Sequence, residues 1–460
     1  MKKIFALMLT AIMSIVMCTA CGNKSGDSDT IKLSVGGWPT AEGDWLDTLN
    51  QRKADFEAEH QNVTIEPDTW TFDLKTFYPK AEAGLLPNIY DAHFTEFSKL
   101  YSGGYVADLT KALKDEGYYD NFNKKIIDLF TVDNKIYGFP TNAYVLGVNI
   151  NAKLFREAGL IEEDGSPKQP KTWEELAEMA TVIKEKTGKP GFALCTSNNC
   201  GGWFFTNIAW SYGVEFMKQD KDGKWIATFD TPEAVETLQY IKDLRWKYNC
   251  VPVNTNIDQT ESRKLLATGQ TAMILDGPLT DIGKYDMDLM DYGIMALPAG
   301  PKRHVALIGG TVTCLSNKSN EAQVSTAIKW LKFIGNTYEI TDDSKIKTEE
   351  NYKKQVNDNA PIGIKKLSPY SKQSDLISFR DQMIDKYCNL NPKNVASYNA
   401  VIDDEKVEFQ AEEPVCAQDL YGILDGIIQE VYTNQDADCT ELISKANSNF
   451  QKNFLDKLDY

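Results

Sequence analysis

In IKLSVGGW, apolar residues at 31, 33 and 35 alternate with polar ones until Gly36–Gly37 breaks the pattern, which predicts a strand running into a loop. The next stretch, WLDTLNQRKADFEAEH, sets Leu46, Leu49 and Phe56 at helical spacing, and VTIE after it reads as a second strand. A third strand is predicted over 88–91 in PNIYDAHF. Strand, helix and strand in this order imply a parallel sheet with crossover helices. Three later helices carry clear start signals. Thr172 caps KTWEELAEMATVIKEKTG with Glu175 three residues on, the spacing of a capping box. Thr231 and Pro232 open TPEAVETLQYIKDLRWKYN. SNEAQVSTAIKWLKFIGN puts Val324, Ala327, Ile328, Leu331 and Ile334 on one face and stops at Gly335. The polar stretch 341–359 reads as a surface excursion or a helix between lobes. The chain is α/β.

The start of the chain follows a different pattern. Lys2 and Lys3 precede an apolar run from Ile4 to Met17, the length of a signal-peptide core. A bilayer span takes about 20 residues, so this run is too short for one. MCTACGNKSGDSD then places Thr19 and Ala20 before Cys21, which resembles a bacterial lipoprotein signal with Cys18 where the pattern has a branched residue. The expectation is a signal peptide over 1–20 and a lipid-carrying Cys21. Residues 21–30 would form a flexible tether, about 15–18 Å long on average, that holds the body at the extracytoplasmic face of the cell membrane.

Composition narrows the function. The chain has 460 residues, 42% of them hydrophobic, enough for a large core in two lobes. Its formal charge is −17, and −19 without residues 1–20, which carry two lysines and no acid. A body this acidic argues against nucleic-acid binding, which needs a basic footprint. Of nine cysteines, Cys195 and Cys200 are close enough in sequence for a disulfide; the others lack metal-ligand spacing, so neither metal nor cofactor is expected. There are three histidines, no HExxH and no G-x-S-x-G, which leaves zinc peptidase and α/β-hydrolase readings without support. A glycoside hydrolase needs only two carboxylates, so composition leaves that reading open. A surface glycan-binding scaffold and a receptor for a non-sugar solute also stay open.

Several phrases, in order, resemble the extracellular solute-binding proteins of sugar ABC importers of the maltodextrin-binding type. They are AEAGLLPNIYDAHF, GGYVADLT, KIYGFPTNAYVLGVNINAKLFREAGL with PKTWEEL after it, GQTAMILDGP, YGIMALPAGP and Gly309–Gly310 before WLKFI. The likeness runs over about residues 30–340 and thins toward Tyr460. It implies a two-lobed periplasmic-binding-protein-like fold with an interlobe ligand cleft. The implied lobes are 31–143 with 307–358, and 144–306 with 359–460, joined by crossings near 142–146, 305–310 and 355–365. It also implies a monomeric, non-enzymatic receptor that hands a mono- or oligosaccharide to permease subunits. The chain has no Gly-x-x-x-x-Gly-Lys-Ser/Thr loop, so the ATPase would be a separate protein.

Sugars present flat C–H faces and rings of hydroxyls, which proteins meet with aromatic faces and with carboxylate, amide or cationic side chains. Ligands of open α/β sheets sit beyond the carboxyl ends of strands. That rule nominates Trp38, Glu42 and Asp44 after the first strand and Asp91, His93 and Phe94 after the third. Tyr144 follows at the presumed hinge, then Trp203 in a Gly-flanked stretch and Asp276 before Gly277–Pro278. Gly309 and Gly310 are nominated for close backbone approach or hinge rotation. Trp173, Trp246 and Trp330 fall within helices and read as packing; Trp210 reads equally as core or ligand contact.

Overall fold

The computed structural model describes residues 30–371, 374–402, 404 and 406–458, so the signal peptide, Cys21 and tether residues 22–29 lie outside the described residues. The alternating stretches become strands as expected. β1 (Ile31–Val35) pairs in parallel with β2 (Val63–Pro67) and with β3 (Ile89–His93). β3 runs two residues beyond the predicted 88–91, because Ala92 and His93 find partners in Val312 and Thr311. Those partners belong to an 11-residue strand that also pairs antiparallel with β4 (Phe139–Val145).

After β4, Leu146 alone intervenes before β5 (Gly147–Asn151), which leaves the first sheet for a second one. There β5 lies between β7 (Met273–Asp276) and β8 (Tyr292–Met295), both antiparallel to it, and β6 (Phe192–Ala193) joins β7 in parallel. The long strand, β9 (Val305–Leu315), returns the chain to the first sheet. Its early residues pair with β10 (Glu408–Gln410) and its later ones with β3 and β4. Two sheets joined by crossing strands make a two-lobed α/β architecture.

Helices cover the sheets with the faces their periodicity predicts. α1 (Asp44–Glu59) and α7 (Glu321–Phe333) bring Phe56 and Trp330 together, edge on at 5.3 Å between ring centroids. Trp330 is fully buried and stacks on Trp38 at 6.3 Å. Burying one such ring contributes about 4–6 kcal/mol of transfer free energy before entropy is counted. α3 (Trp173–Thr187) keeps Thr172 as its cap, with the hydroxyl accepting from the Glu175 N–H at 3.2 Å. The Glu175 carboxylate, however, accepts from the Lys171 N–H rather than from Thr172, so the expected capping box is half formed. A full box occurs at Asn320 and Gln323, opening α7.

The polar stretch 341–359 is a helix, α8 (Asp342–Asn357), lying against α9 (Asp375–Tyr387) over a small core of Tyr352, Ile362, Met383 and Ile384. Trp173 and Trp210 are buried as packing residues, whereas Trp246 is exposed along its helix. The disulfide allowed by spacing is not formed: Cys195 and Cys200 are both free, buried thiols, as are Cys250, Cys314, Cys416 and Cys439, and Cys388 is half-buried and free.

Candidate ligand cleft

Strand register assembles the cleft floor. Thr313 lies opposite Asp91 and Thr311 opposite His93 on one side of β9. On the other side Thr311 faces Asn142 and Gly309 faces Tyr144. Successive side chains alternate between faces, so Asp91, His93, Thr311, Thr313, Asn142 and Tyr144 share one face. The opposite face carries Tyr90, Ala92, Val312, Ala143 and Val145, all buried. Asp91, His93 and Asn142 are exposed, and Thr311 and Tyr144 half-buried. One sheet face is therefore core and the other a polar, solvent-reached floor.

Asp91 accepts a hydrogen bond from the Thr313 hydroxyl at 2.5 Å. Burial raises its carboxyl above the usual range, opposed by that bond and by His93. A group that water reaches, yet protein desolvates, lies on the wall of a concavity. The adjoining hollow, about 370 Å³, is lined by Gly36, Gly37, Trp38, Asp91, Thr141 and Thr313 among others. His93 stands edge on to Phe72 at 6.4 Å. The Asn142 amide oxygen accepts from the Thr311 N–H at 3.2 Å.

Tyr144 lies two residues before Leu146, where the chain leaves the first sheet for the second. Its phenol is pushed up to about 12 by burial and by the negative charges of Glu412 and Asp276, with Arg263 opposing. Asp276 is 2% exposed and committed to the protein. Arg263 meets it through Nε at 2.7 Å and Nη2 at 3.1 Å, the Gly277 N–H donates to it at 2.8 Å, and Gln259 adds a donor at 3.2 Å. Burial still raises its carboxyl, with the Arg263 bond the first of the opposing influences. Arg263 is the partly exposed member of the pair, and Asp276 fixes its orientation.

Glu412 completes this end. Its carboxylate accepts from the Tyr421 hydroxyl at 2.8 Å, and burial pushes it up to about 7. Trp203, half-buried in the first turn of α4 (Cys200–Tyr212), lies near enough to Glu412 to oppose that shift, although its N–H meets no acceptor in good hydrogen-bond geometry. The neighbouring Glu413 accepts from Trp210 Nε1 at 2.9 Å and is likewise pushed up to about 7 by burial.

Of the remaining nominated residues, Trp38 lines the same hollow as Asp91 from a largely buried position, and the others fall elsewhere or act through shape. Trp38 is 5% exposed, its indole N–H 3.3 Å from Asn50 Oδ1 and its ring on Trp330. Phe94 is buried on the core face, edge on to Phe130 at 4.8 Å. Glu42 is exposed in the loop before α1, and Asp44 is the first residue of that helix. A Cβ at Gly309 would lie 2.5 Å from the Tyr144 hydroxyl oxygen, and one at Gly310 would lie 2.3 Å from the Asn142 carbonyl oxygen. Close approach, not unusual backbone angles, is what these two glycines provide. Arg263, Asn142, Thr311 and Glu412 escaped nomination. Asn142 was legible in principle, being two residues before Tyr144 on one strand. Arg263 and Glu412 carry no local signal and reach the cleft only through tertiary packing.

Residues 40–337 match the model of the bacterial extracellular solute-binding protein family. The chain belongs to this family. Among curated relatives, the arabinooligosaccharide-binding protein of Bacillus subtilis is 26% identical over 250 residues, 52% of this chain and 54% of that protein. The multiple sugar-binding protein of Streptococcus mutans is 28% identical over 208 residues, 44% of this chain and 45% of that protein. The chain thus spans about half the length of these relatives. Among solved structures, the cyclic α-maltosyl-1,6-maltose binding protein of Arthrobacter globiformis superposes with a TM-score of 0.65 at 20% identity, over 91% of this chain and 97% of that one. That likeness shows the two-lobed binding-protein fold. No described helix of this solute-binding protein is long and apolar enough to cross a membrane.

Proposed function

We propose that this chain is the extracellular receptor of an ABC-type importer and captures a carbohydrate between its lobes. The carrying observation is the polar face of β3, β9 and β4, where a carboxylate, an amide and a hydroxyl (Asp91, Asn142, Thr311) share one sheet face with the ring of Tyr144. Such a surface matches a sugar's alternation of hydroxyls and C–H faces. The sugar-binding relatives support this reading. Closure is a shift between open and closed populations, driven by contacts the ligand makes with the second lobe. The lobes run over 31–143 with 307–358 and over 144–306 with 359–460. A lipid on Cys21 keeps the receptor beside its permease, whose ATPase is a separate chain, and the receptor works as a monomer that leaves its ligand unaltered.

The test is intrinsic fluorescence and melting temperature against a panel of mono- and oligosaccharides. A ligand at 100 times its Kd stabilises by about 2.7 kcal/mol. A saturable shift with one sugar class, and that sugar recovered intact, is the expected result. Cleaved sugar would establish a hydrolase instead, and a flat response to the whole panel would overturn the carbohydrate reading.

A further inference from the structure

The cleft floor changes chemistry beyond Asn142. Leu367 pairs with Ala143 along the free edge of β4, so the alternation puts its neighbours Lys366 and Ser368 on the same face as Asn142 and Tyr144. There a hollow of about 760 Å³ opens between α1, β4, α8 and α9. Five of its lining side chains are basic: Arg52, Lys347, Lys354, Lys366 and Arg380. Asp381 is the one acid among the described lining residues. In a chain with a formal charge of −17, this is a local reversal of sign.

Part of that charge is spent. Lys354 pairs with Asp358 at 2.7 Å, and Arg52 donates to the Ile334 carbonyl at 2.7 Å. Lys366 and Arg380 have a different standing. Neither forms a hydrogen bond or ion pair among the described residues, and they lie near enough for Arg380 to disfavour the charge on Lys366. Burial is the larger influence, and together they lower the Lys366 ammonium below its ordinary range. Two like charges crowded in a concavity destabilise the protein unless a counter-charge arrives. Arg offers a planar fork and Lys a point charge, the pair of donors that seats a carboxylate, sulfate or phosphate group.

We propose that this hollow is an anion subsite of the cleft, and that the ligand is a sugar carrying an acidic group seated between Lys366 and Arg380. The inference rests on the carbohydrate reading above and names the class of sugar. A neutral sugar would fill the floor and leave both cations without a partner.

The experiment is isothermal titration of the full chain with two disaccharides of one linkage, one ending in glucose and the other in glucuronic acid. A 6-sulfated and a 6-phosphorylated form of the neutral sugar, and inorganic sulfate and phosphate alone, complete the set. At least one acidic sugar is expected to bind tenfold or more tightly than its neutral counterpart. That ratio should fall at least fivefold in Lys366→Gln and in Arg380→Gln at unchanged melting temperature, and in wild type when salt rises from about 0.05 M to 0.5 M. Which acid wins separates uronate from ester. An equal or better neutral sugar overturns the inference and leaves the carbohydrate reading standing, as does a ratio indifferent to both substitutions. If no sugar binds but sulfate or phosphate does, in a Lys366-dependent way, the anion site stands and the carbohydrate reading falls. If nothing binds, both fall.

Discussion

Arg263 lays its guanidinium along the buried carboxylate of Asp276, Nε 2.7 Å from one oxygen and Nη2 3.1 Å from the other, and so holds its charge near enough to Tyr144 to oppose the rise of that phenol. Removing one member strands the other. Breaking a fully buried pair costs about 3–5 kcal/mol, and the partly exposed guanidinium brings the figure here to about 2–3 kcal/mol. Asp276→Asn and Arg263→Ala should both lower the unfolding free energy by that amount, read as a fall in the urea midpoint at unchanged m. Asp276→Asn should also weaken ligand binding although the carboxylate is closed to solvent. Unchanged affinity in calorimetry would remove Arg263 from the site.

Glu412 and Glu413 give the protein an unusual response to pH. Burial pushes both up to about 7, well above the unfolded value near 4.3. Between those limits the folded chain holds protons that the unfolded chain releases. Stability from these groups is therefore complete below about pH 4, falls as pH rises, and is gone above about pH 7, with an upper bound of about 4 kcal/mol each. Glu412→Gln with Glu413→Gln keeps an acceptor for Tyr421 and Trp210 and should flatten the slope between pH 5 and 7.5. Denaturant unfolding at those two pH values is the measurement. A double variant with the wild-type slope would refute the assignment.

Trp38 and Tyr144 should separate stability from binding. Trp38→Ala opens a cavity against Trp330 and should cost about 3–5 kcal/mol, read as a fall in melting temperature. Tyr144→Ala removes a half-buried ring from the cleft and should reduce ligand affinity tenfold or more with a much smaller change in melting temperature. The reverse pattern would move the site to the first lobe's interior.

Gly309 and Gly310 differ in what an added methyl would strike. At Gly310 it meets the Asn142 carbonyl, which is backbone and cannot move aside, so Gly310→Ala should destabilise by about 1–3 kcal/mol. At Gly309 it meets the end of the Tyr144 ring, which can swing away. Gly309→Ala should therefore leave unfolding nearly unchanged while weakening ligand binding. Equal losses of stability in the two variants would contradict this.

The fold was legible wherever pattern is local. Alternation at 31, 33 and 35 and the caps at Thr172 and Thr231 all reappear in the structure. The site was less so. Trp38 and Phe94 follow strands, as a ligand contact would, but a large ring at a strand end also has a core to enter, and only packing decides. Asp276 looked like a ligand contact and proved to be the anchor of Arg263, thirteen residues away on α6 (Gln259–Ala267). Glu412 lies where the family likeness thins, and nothing within its own neighbourhood announces that it will bond Tyr421 and bear on Tyr144 through its charge.

Leu146 is the lone residue between β4, which lines the cleft, and β5, which belongs to the other sheet, and its N–H is tied to the Leu307 carbonyl at 3.0 Å. Two stiff arms meeting at so short a joint act as a mechanical amplifier. Any rotation there would carry the rims farther than the floor beside the joint. The surface that senses the solute and the surface that reports it are in this way separated along a single lever. Solutes that grip the floor equally well would still be distinguished by how far each one swings the rim.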